Sequence, residues 1–334
     1  MAGSQGSALA LAVTNAGGLG SLPAAALAPE ALRAELRRLR DGARGPWNVN
    51  FFCHQPPASE PARESAWLAA LSPHYDEAAL TPPALPLQPG RSPFDAAALE
   101  LLAEFRPPVV SFHFGLPAPD LLARVKSWGA RVLSSATTVE EGRWLQAHGA
   151  DAVIAQGLEA GGHRGLFLSQ DLTTQIGTLA LLPQLVRALD VPVIAAGGIA
   201  DAAGVAAARA LGAAGVQVGT AYLLCPEAAT SALHRVALQS PAAAHTALTN
   251  VFTGRPARGI VNRVMRELGQ AGGCISALAP EFPLATGAIA PLRAWAEGRG
   301  SADFTPLWAG QGAPLARAMP AAELTRELAR GWGD

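Results

Sequence analysis

The sequence has little lysine, little cysteine and few charges. Of its 25 basic residues only Lys126 is a lysine, and the others are arginines. Catalysis through a lysine Schiff base would depend on that one residue, and a phosphate site built from several lysines is excluded. Cys53, Cys225 and Cys274 lie far apart without a Cys-x-x-Cys spacing, which argues against a disulfide framework and against a zinc site.

Further absences disfavour several classes of function. The net charge of −1 and the pI near 6.7 provide no basic surface for a nucleic-acid backbone. No run of about 20 residues is continuously apolar, and the N-terminus lacks the cationic segment of a signal peptide. Asp151, Asp190 and Asp201 stand at the starts of predicted elements rather than at strand ends, which argues against a metal site. We therefore expect a cytoplasmic monomer or homodimer without metal.

Strand-like and helix-like runs alternate along the chain. Short, apolar, β-branched runs predict strands at 17–22, 47–53, 109–113, 131–135, 152–156, 192–196 and 215–218. Intervening runs predict helices at 4–13, 29–40, 138–148 and 201–211. Thr138 and Asp201 are the expected N-caps of the last two helices. This alternation is typical of a parallel sheet with crossover helices, and the predicted fold is an α/β (β/α)₈ TIM barrel.

Seven predicted strands are one fewer than a closed barrel needs. The chain starts at Met1 and passes directly into a loop and a helix, so the first strand is expected to be mostly missing. Either the true start lies upstream, or the barrel is truncated. We expect the barrel to span 1–224, with a Pro- and Ser-rich insertion at 54–93 that is either a lid or a passive excursion. A smaller helical domain is expected at 225–302, and 303–334 returns to the barrel.

Glycines follow two neighbouring predicted strands. Gly197-Gly198 ends one strand and Gly219-Thr220 ends the next. Barrel active sites lie at the carboxyl ends of strands, and paired glycines let backbone N–H groups approach a phosphate. Each glycine pair alone is equally consistent with a tight turn. Two of them at consecutive strand ends favour a phosphate-bearing ligand.

A glycine-rich loop follows the strand at 152–156 and would place Gln156 and His163 over the barrel mouth. A histidine can take up a proton near neutral pH, so His163 is the candidate base. The alternative is a loop histidine that hydrogen-bonds the backbone for structural reasons. Glu159 is either functional or a structural carboxylate that interacts with a helix dipole or closes the loop. Arg164 is expected to be a salt-bridge partner rather than an anion clamp. Cys225 is expected to be a buried core residue.

Six segments in order resemble one family over nearly the whole chain. They include Gln-Gly-Leu-Glu-Ala-Gly-Gly-His-Arg-Gly at 156–165 and Thr-Gly-Arg-Pro-Ala-Arg-Gly-Ile at 253–260, and the others lie at 12–20, 48–52, 195–201 and 216–223. Together they resemble the FMN-dependent nitronate monooxygenases, formerly called 2-nitropropane dioxygenases. The resemblance implies a barrel with FMN across its carboxyl mouth and a small helical substrate domain.

The resemblance also implies roles for particular residues. Asn50 and Gln156 would contact the flavin ring or ribityl chain, and His163 matches the catalytic histidine of the family. The phosphate region would be bound by Gly161, Gly198, Gln217, Val218, Gly219 and Thr220. The implied reaction is the oxidation of alkyl nitronates, such as propionate 3-nitronate, by O₂ to a carbonyl compound and nitrite. His163 would deprotonate a neutral nitroalkane or position a nitronate.

Two other functions stay open at this point. One is an NAD(P)H-dependent FMN oxidoreductase similar to the flavin type of enoyl-acyl-carrier-protein reductase, which shares the Gly-Gly-His loop. The other is a degenerate barrel without catalysis, suggested by the missing first strand.

Overall fold

A computed structural model describes residues 3–88, 90–270 and 273–333. Of the expected remnant of the first strand, Met-Ala-Gly at 1–3, residues 1 and 2 lie outside these ranges. The strands in the described ranges are β1 (Gly20–Pro23), β2 (Trp47–Phe52), β3 (Val109–His113), β4 (Arg131–Ala136), β5 (Ala152–Gln156), β6 (Gly162–His163), β7 (Val193–Ala196), β8 (Gly215–Gln217), β9 (Thr246–Thr249) and β10 (Ala257–Ile260).

Seven of these strands form one parallel sheet in the order β1-β2-β3-β4-β5-β7-β8. All seven predicted strands are confirmed, with bounds that differ by three residues at most. β1 and β8 are the edges of the sheet, and no strand joins them in the described part of the chain. Helices connect the parallel strands, as in a (β/α)₈ barrel.

The helices in the described ranges mostly cover the outside of this sheet. They are α1 (Ser7–Asn15), α2 (Pro29–Gly42), α3 (Pro61–Ala78), α4 (Ala96–Ala103), α5 (Pro119–Lys126), α6 (Val139–Ala147), α7 (Thr178–Ala188), α8 (Ala202–Ala210), α9 (Ala232–Leu238), α10 (Arg263–Leu268), α11 (Ala285–Glu297) and α12 (Ala321–Ala329). Both predicted N-caps are confirmed, because Thr138 accepts a hydrogen bond from Glu141 N–H and Asp201 accepts one from Gly204 N–H. These bonds satisfy N–H groups that a helix leaves free at its first turn.

Side chains of the parallel strands alternate between the two faces of the sheet. One face carries a small apolar cluster of Val109, Leu133, Ile154 and Ala196. Residues of the other face, such as Val110, pack beneath the helices in larger clusters. The sheet is therefore buried on both sides, which explains the nearly continuous apolar runs that predicted its strands.

A second large apolar cluster lies outside the barrel sheet. Trp67 and Leu71 of α3 pack in it with Leu292 of α11, and Tyr75 Oη donates to Ala288 O at 2.6 Å. The segment 54–93 thus contributes a helix to the same cluster as the segment 225–302. That later segment, expected to be helical, also contains β9 and β10.

β10 pairs antiparallel with β9 and with β6. This small sheet joins the loop after β5 to the second cluster. None of the helices in the described residues is long and apolar enough to cross a membrane.

Candidate active site

Three loops at the carboxyl ends of β5, β7 and β8 lie next to one another. β5 and β8 both pair with β7 in parallel register, so these strand ends are neighbours. The returning C-terminal segment connects them. Gly310 N–H donates to Thr220 Oγ1 at 2.9 Å, and Gln311 N–H donates to Glu159 O at 2.9 Å.

The loops after β7 and β8 present free main-chain donors. Gly197 and Gly198 have φ angles of +118° and +72°, which glycine adopts without strain. Within the described ranges, the N–H groups of Gly198, Ile199, Gly219 and Thr220 donate no hydrogen bond. Free N–H groups at adjacent strand ends suit a phosphate. This part of the site therefore fits the phosphate of FMN.

His163 lies on β6, where it pairs with Ala257 of β10, and is only 8% exposed. Its Nε2 is 2.9 Å from Thr253 Oγ1. Its Nδ1 has no hydrogen-bond partner among the residues that the structure describes. Four aromatic rings surround the imidazole at centroid distances of 5.3–6.1 Å, those of Phe52, Phe114, Phe282 and Trp308. Thr253 thus holds Nε2 of the imidazole, and Nδ1 is available to a ligand.

The main-chain oxygen of His163 is held by two side chains. Gln156 Nε2 donates to it at 2.9 Å and His113 Nε2 donates to it at 3.1 Å. Because a carbonyl can only accept, the proton of His113 is on Nε2, and its Nδ1 accepts from Ser135 Oγ at 3.0 Å. Gln156 Oε1 accepts from Gly165 N–H at 2.7 Å. Gln156 therefore fastens the His163 loop at two points, and its contact with flavin stays a prediction.

Burial makes the imidazoles of the site neutral. It lowers the pKa of His163 well below the ordinary value, and the nearby charges of Arg91 and Arg255 lower it further. Burial likewise lowers the pKa of His113 to about 3. Arg255 keeps its charge at neutral pH, because burial lowers its pKa only to about 10.

The Arg255 guanidinium lies 3.9 Å from the centroid of the Phe114 ring. It also donates to Leu166 O, while its Nε has no partner in the described part of the protein. None of the ion pairs found there includes Arg255 or Arg91. A cation without a carboxylate partner next to His163 favours an anionic ligand.

The expectation that Arg164 forms a salt bridge is wrong for the residues described. Its fully buried guanidinium donates to Gly157 O at 2.7 Å, Gln156 O at 2.8 Å and Gln175 Oε1 at 3.1 Å. Each of its three nitrogens thus donates to an oxygen that is not a carboxylate, so it holds the glycine-rich loop against the end of β5. Sequence reasoning assumed a charged partner, although main-chain carbonyls suffice.

The other predicted cofactor residues surround this region. Asn50, near the end of β2, is half-buried and donates from Nδ2 to Ser111 Oγ at 2.9 Å. Gly161 packs against the returning segment, since a Cβ on it would lie 2.5 Å from Gly310 N. Gln217 is exposed at the end of β8, and Val218 is half-buried beside it. Their contacts with a cofactor stay predictions.

Sequence reasoning did not single out several residues of the site. Thr253 and Arg255 lie in the Thr-Gly-Arg-Pro motif, which points to the family but not to a role for either residue. His113 is the last residue of a predicted strand and Phe114 follows it. Their position at a strand end could have indicated that they belong to the site. No local pattern pointed to Phe282.

A cavity of about 370 Å³ lies elsewhere, at the amino ends of β1 and β2. It is lined by Thr14, Asn15, Gly17, Gly18, Leu19, Arg44, Gly45 and Pro46. In a parallel sheet the amino ends are on the side opposite the carboxyl ends, so this cavity is separate from His163.

Comparisons with known proteins agree with this geometry. The chain is 48% identical over 323 residues to a nitronate monooxygenase from Pseudomonas aeruginosa, covering 96% of this chain and 91% of that protein. It is 43% identical to a nitronate monooxygenase from Paraburkholderia phytofirmans, covering 99% of this chain and 90% of that one.

Two solved structures are also similar to this chain. A nitroalkane oxidase from Streptomyces ansochromogenes is similar with a TM-score of 0.88 and 40% identity, covering 99% of this chain and 93% of that one. FabK from Thermotoga maritima is more distant, with a TM-score of 0.71 and 25% identity, covering 99% and 90%. The family model for nitronate monooxygenase matches residues 1–331, and the chain belongs to the nitronate monooxygenase family.

Proposed function

We propose that this protein uses FMN to oxidise alkyl nitronates, such as propionate 3-nitronate, with O₂ to a carbonyl compound and nitrite. The observation that carries the proposal is the neutral His163 imidazole, enclosed by aromatic rings and acted on by the cationic side chains of Arg91 and Arg255. A nitronate is an anion, and a buried site with unpaired cations attracts it.

The residues present fit FMN. The free N–H groups of Gly198, Gly219 and Thr220 would hold its phosphate, and Asn50 and Gln156 would contact its ring or ribityl chain. When bound, FMN supplies the one-electron redox chemistry between nitronate and O₂, for which this chain has no side chain of its own.

His163 acts on the substrate from a fixed orientation. Thr253 Oγ1 holds Nε2 at 2.9 Å, so Nδ1 is the atom available to the nitronate or to a substrate proton. Its lowered pKa makes His163 a weak base, because the enclosed pocket disfavours the imidazolium. We therefore expect His163 to orient an already ionised nitronate more effectively than it deprotonates a neutral nitroalkane.

The aromatic residues exclude water from this reaction. Phe52, Phe114 and Phe282 are each less than 9% exposed, and their rings lie beside His163. Low local polarity strengthens the attraction between the nitronate and the Arg255 cation. Phe114 is also held at a φ of +71°, which is unusual for a residue other than glycine. That conformation places its ring beneath Arg255.

The test is oxygen consumption by the purified, FMN-loaded protein. Propionate 3-nitronate and an alkyl nitronate are supplied as preformed anions, and nitrite release is measured in parallel. We expect oxygen uptake with equimolar nitrite. A flavin-loaded protein that consumes no oxygen with either substrate would refute the proposal.

Two further measurements distinguish this function from the two alternative functions. Rapid anaerobic bleaching of the flavin by NADPH would favour a reductase of the enoyl-acyl-carrier-protein type. A colourless protein that also fails to take up added FMN would favour a barrel without catalysis. The proposal predicts a yellow protein that NADPH bleaches slowly or not at all.

A further inference from the structure

Glu159 has a place in the site that the proposed mechanism does not use. Its carboxylate accepts hydrogen bonds from Thr178 N–H, at 3.0 Å to Oε1 and 2.8 Å to Oε2. Thr178 is the first residue of α7, so the carboxylate lies at the positive end of that helix. The Thr178 hydroxyl is also 2.9 Å from Oε2. Glu159 is therefore firmly attached to the start of α7.

The same pair contacts the turn after β7. Thr178 Oγ1 lies 3.0 Å from Gly197 O, and a Cβ on Gly198 would lie 3.4 Å from Glu159 Cβ. Glu159 and Thr178 thus form the wall against which the Gly197-Gly198 turn rests. This turn carries the free N–H group of Gly198 that is assigned above to the phosphate.

Neighbouring glycines leave space for this pair. A Cβ on Gly157 would lie 1.9 Å from Thr178 Oγ1, and a Cβ on Gly177 would lie 2.8 Å from Glu159 Oε1. Separations below 3.0 Å are not tolerated by ordinary packing. Side chains at these positions would displace the carboxylate, so the glycines at 157 and 177 follow from the position of Glu159 and Thr178.

The main chain of Glu159 supports the second part of the phosphate site. Its oxygen accepts from Gln311 N–H at 2.9 Å, and the adjacent Gly310 N–H donates to Thr220 Oγ1 at 2.9 Å. One residue, Glu159, therefore supports both glycine turns. The Glu159 side chain supports the turn after β7, and its backbone supports the return segment that holds Thr220.

We propose that Glu159 is a positioning residue that sets the two turns for a phosphate, and that it thereby makes the protein select FMN over riboflavin. The inference rests on the proposed use of FMN. Glu159 itself does not touch the phosphate, and its negative charge is compensated by the α7 terminus and by Thr178 rather than directed at the ligand.

The experiment compares the affinities of the apoprotein for FMN and riboflavin, measured by quenching of flavin fluorescence. Riboflavin lacks the phosphate, so it reports on the rest of the site. For Glu159→Ala we expect the Kd for FMN to rise by about 10-fold, equivalent to about 1.4 kcal/mol. The Kd for riboflavin should stay within about twofold.

Two other variants keep the test independent of folding. Glu159→Gln retains the shape and an acceptor oxygen and should restore most of the FMN affinity. Thr178→Val removes the hydroxyl that bridges to Gly197 and should reproduce the selective loss if Glu159→Ala does not fold. Glu64→Gln is the matched control, because Glu64 is another carboxylate that accepts from a main-chain group, Leu87 N–H at 2.8 Å on the segment 54–93.

An equal loss of affinity for both flavins, or no loss for FMN, would overturn the inference. Wild-type protein that binds neither flavin would instead overturn the proposed function and this inference together. Wild-type protein that binds FMN no more tightly than riboflavin would overturn only the inference.

Discussion

Acidification is expected to destabilise this protein through His113. Its imidazole is buried, and both of its nitrogens are hydrogen-bonded as a neutral ring, to Ser135 Oγ and His163 O. Burial lowers its pKa to about 3, against about 6.5 in an unfolded chain. Between these two values the unfolded state binds a proton that the folded state excludes. The free energy of unfolding therefore falls as the pH falls below about 6.5.

The size of the effect follows from the two pKa values. At pH 5 the unfolded imidazole is almost fully protonated and the folded one is almost fully neutral. Their difference corresponds to a loss of about 2 kcal/mol relative to pH 7.5. Burial also lowers the pKa of His54 and His234, each to about 4, so each contributes in the same direction. The losses from these three histidines together approach the whole free energy of unfolding of an ordinary protein.

Urea unfolding of the apoprotein at pH 7.5 and pH 5, followed by tryptophan fluorescence, measures this loss. In His113→Asn the pH-dependent loss should be smaller than in wild type by about 2 kcal/mol. Ser135→Ala is the control, because it removes a hydrogen-bond partner but keeps the titrating ring, so its pH dependence should persist. If His113→Asn lost as much stability as wild type on acidification, the assignment of a neutral, buried His113 would be refuted.

Three other predictions concern the site. Gly161→Ala should destabilise the fold by roughly 1–3 kcal/mol and weaken FMN binding in fluorescence titrations, because its Cβ would lie 2.5 Å from Gly310 N. Gly162→Ala, whose φ is +74° with no atom within 4 Å of the added Cβ, should lose only about 1 kcal/mol and keep FMN affinity. His163→Asn should retain flavin but lower turnover of preformed nitronates by about 10²-fold, because the imidazole that orients them is lost, and unchanged oxygen uptake would assign the histidine to structure. Arg255→Met should raise the KM for nitronates by about 10-fold, and an unchanged KM that is insensitive to salt would contradict its role as the attracting cation.

The barrel strands could be predicted because their signals are local. Apolar, β-branched runs such as 109–113 and 152–156 are required by burial on both faces, and both strands have the predicted bounds. The smaller sheet could not be predicted. β6 contains only Gly162 and His163, and the four residues of β10 include a glycine and an arginine.

The candidate site likewise combines residues that have a local sequence signal with residues that have none. His163 and the glycine turns were found because each belongs to a compact motif at a strand end. Thr253 lies 90 residues further along the chain, and only the pairing of β10 with β6 brings it to the imidazole. The helix α3 was overlooked because Pro73 lies inside it and the segment around it is rich in proline. Contacts made by tertiary pairing leave no local signal.

The pairing of β6 with β10 has a mechanical consequence. His163 is bonded to both sheets, because β6 pairs with β10 while Gln156 and His113 of the barrel strands donate to its main-chain oxygen. Any tilting of the small sheet relative to the barrel would act on the hydrogen bonds from Gln156 and His113, and so on the orientation of the imidazole. Ligands or substitutions on the far side of that sheet would therefore lower the rate of turnover without contacting the reacting atoms.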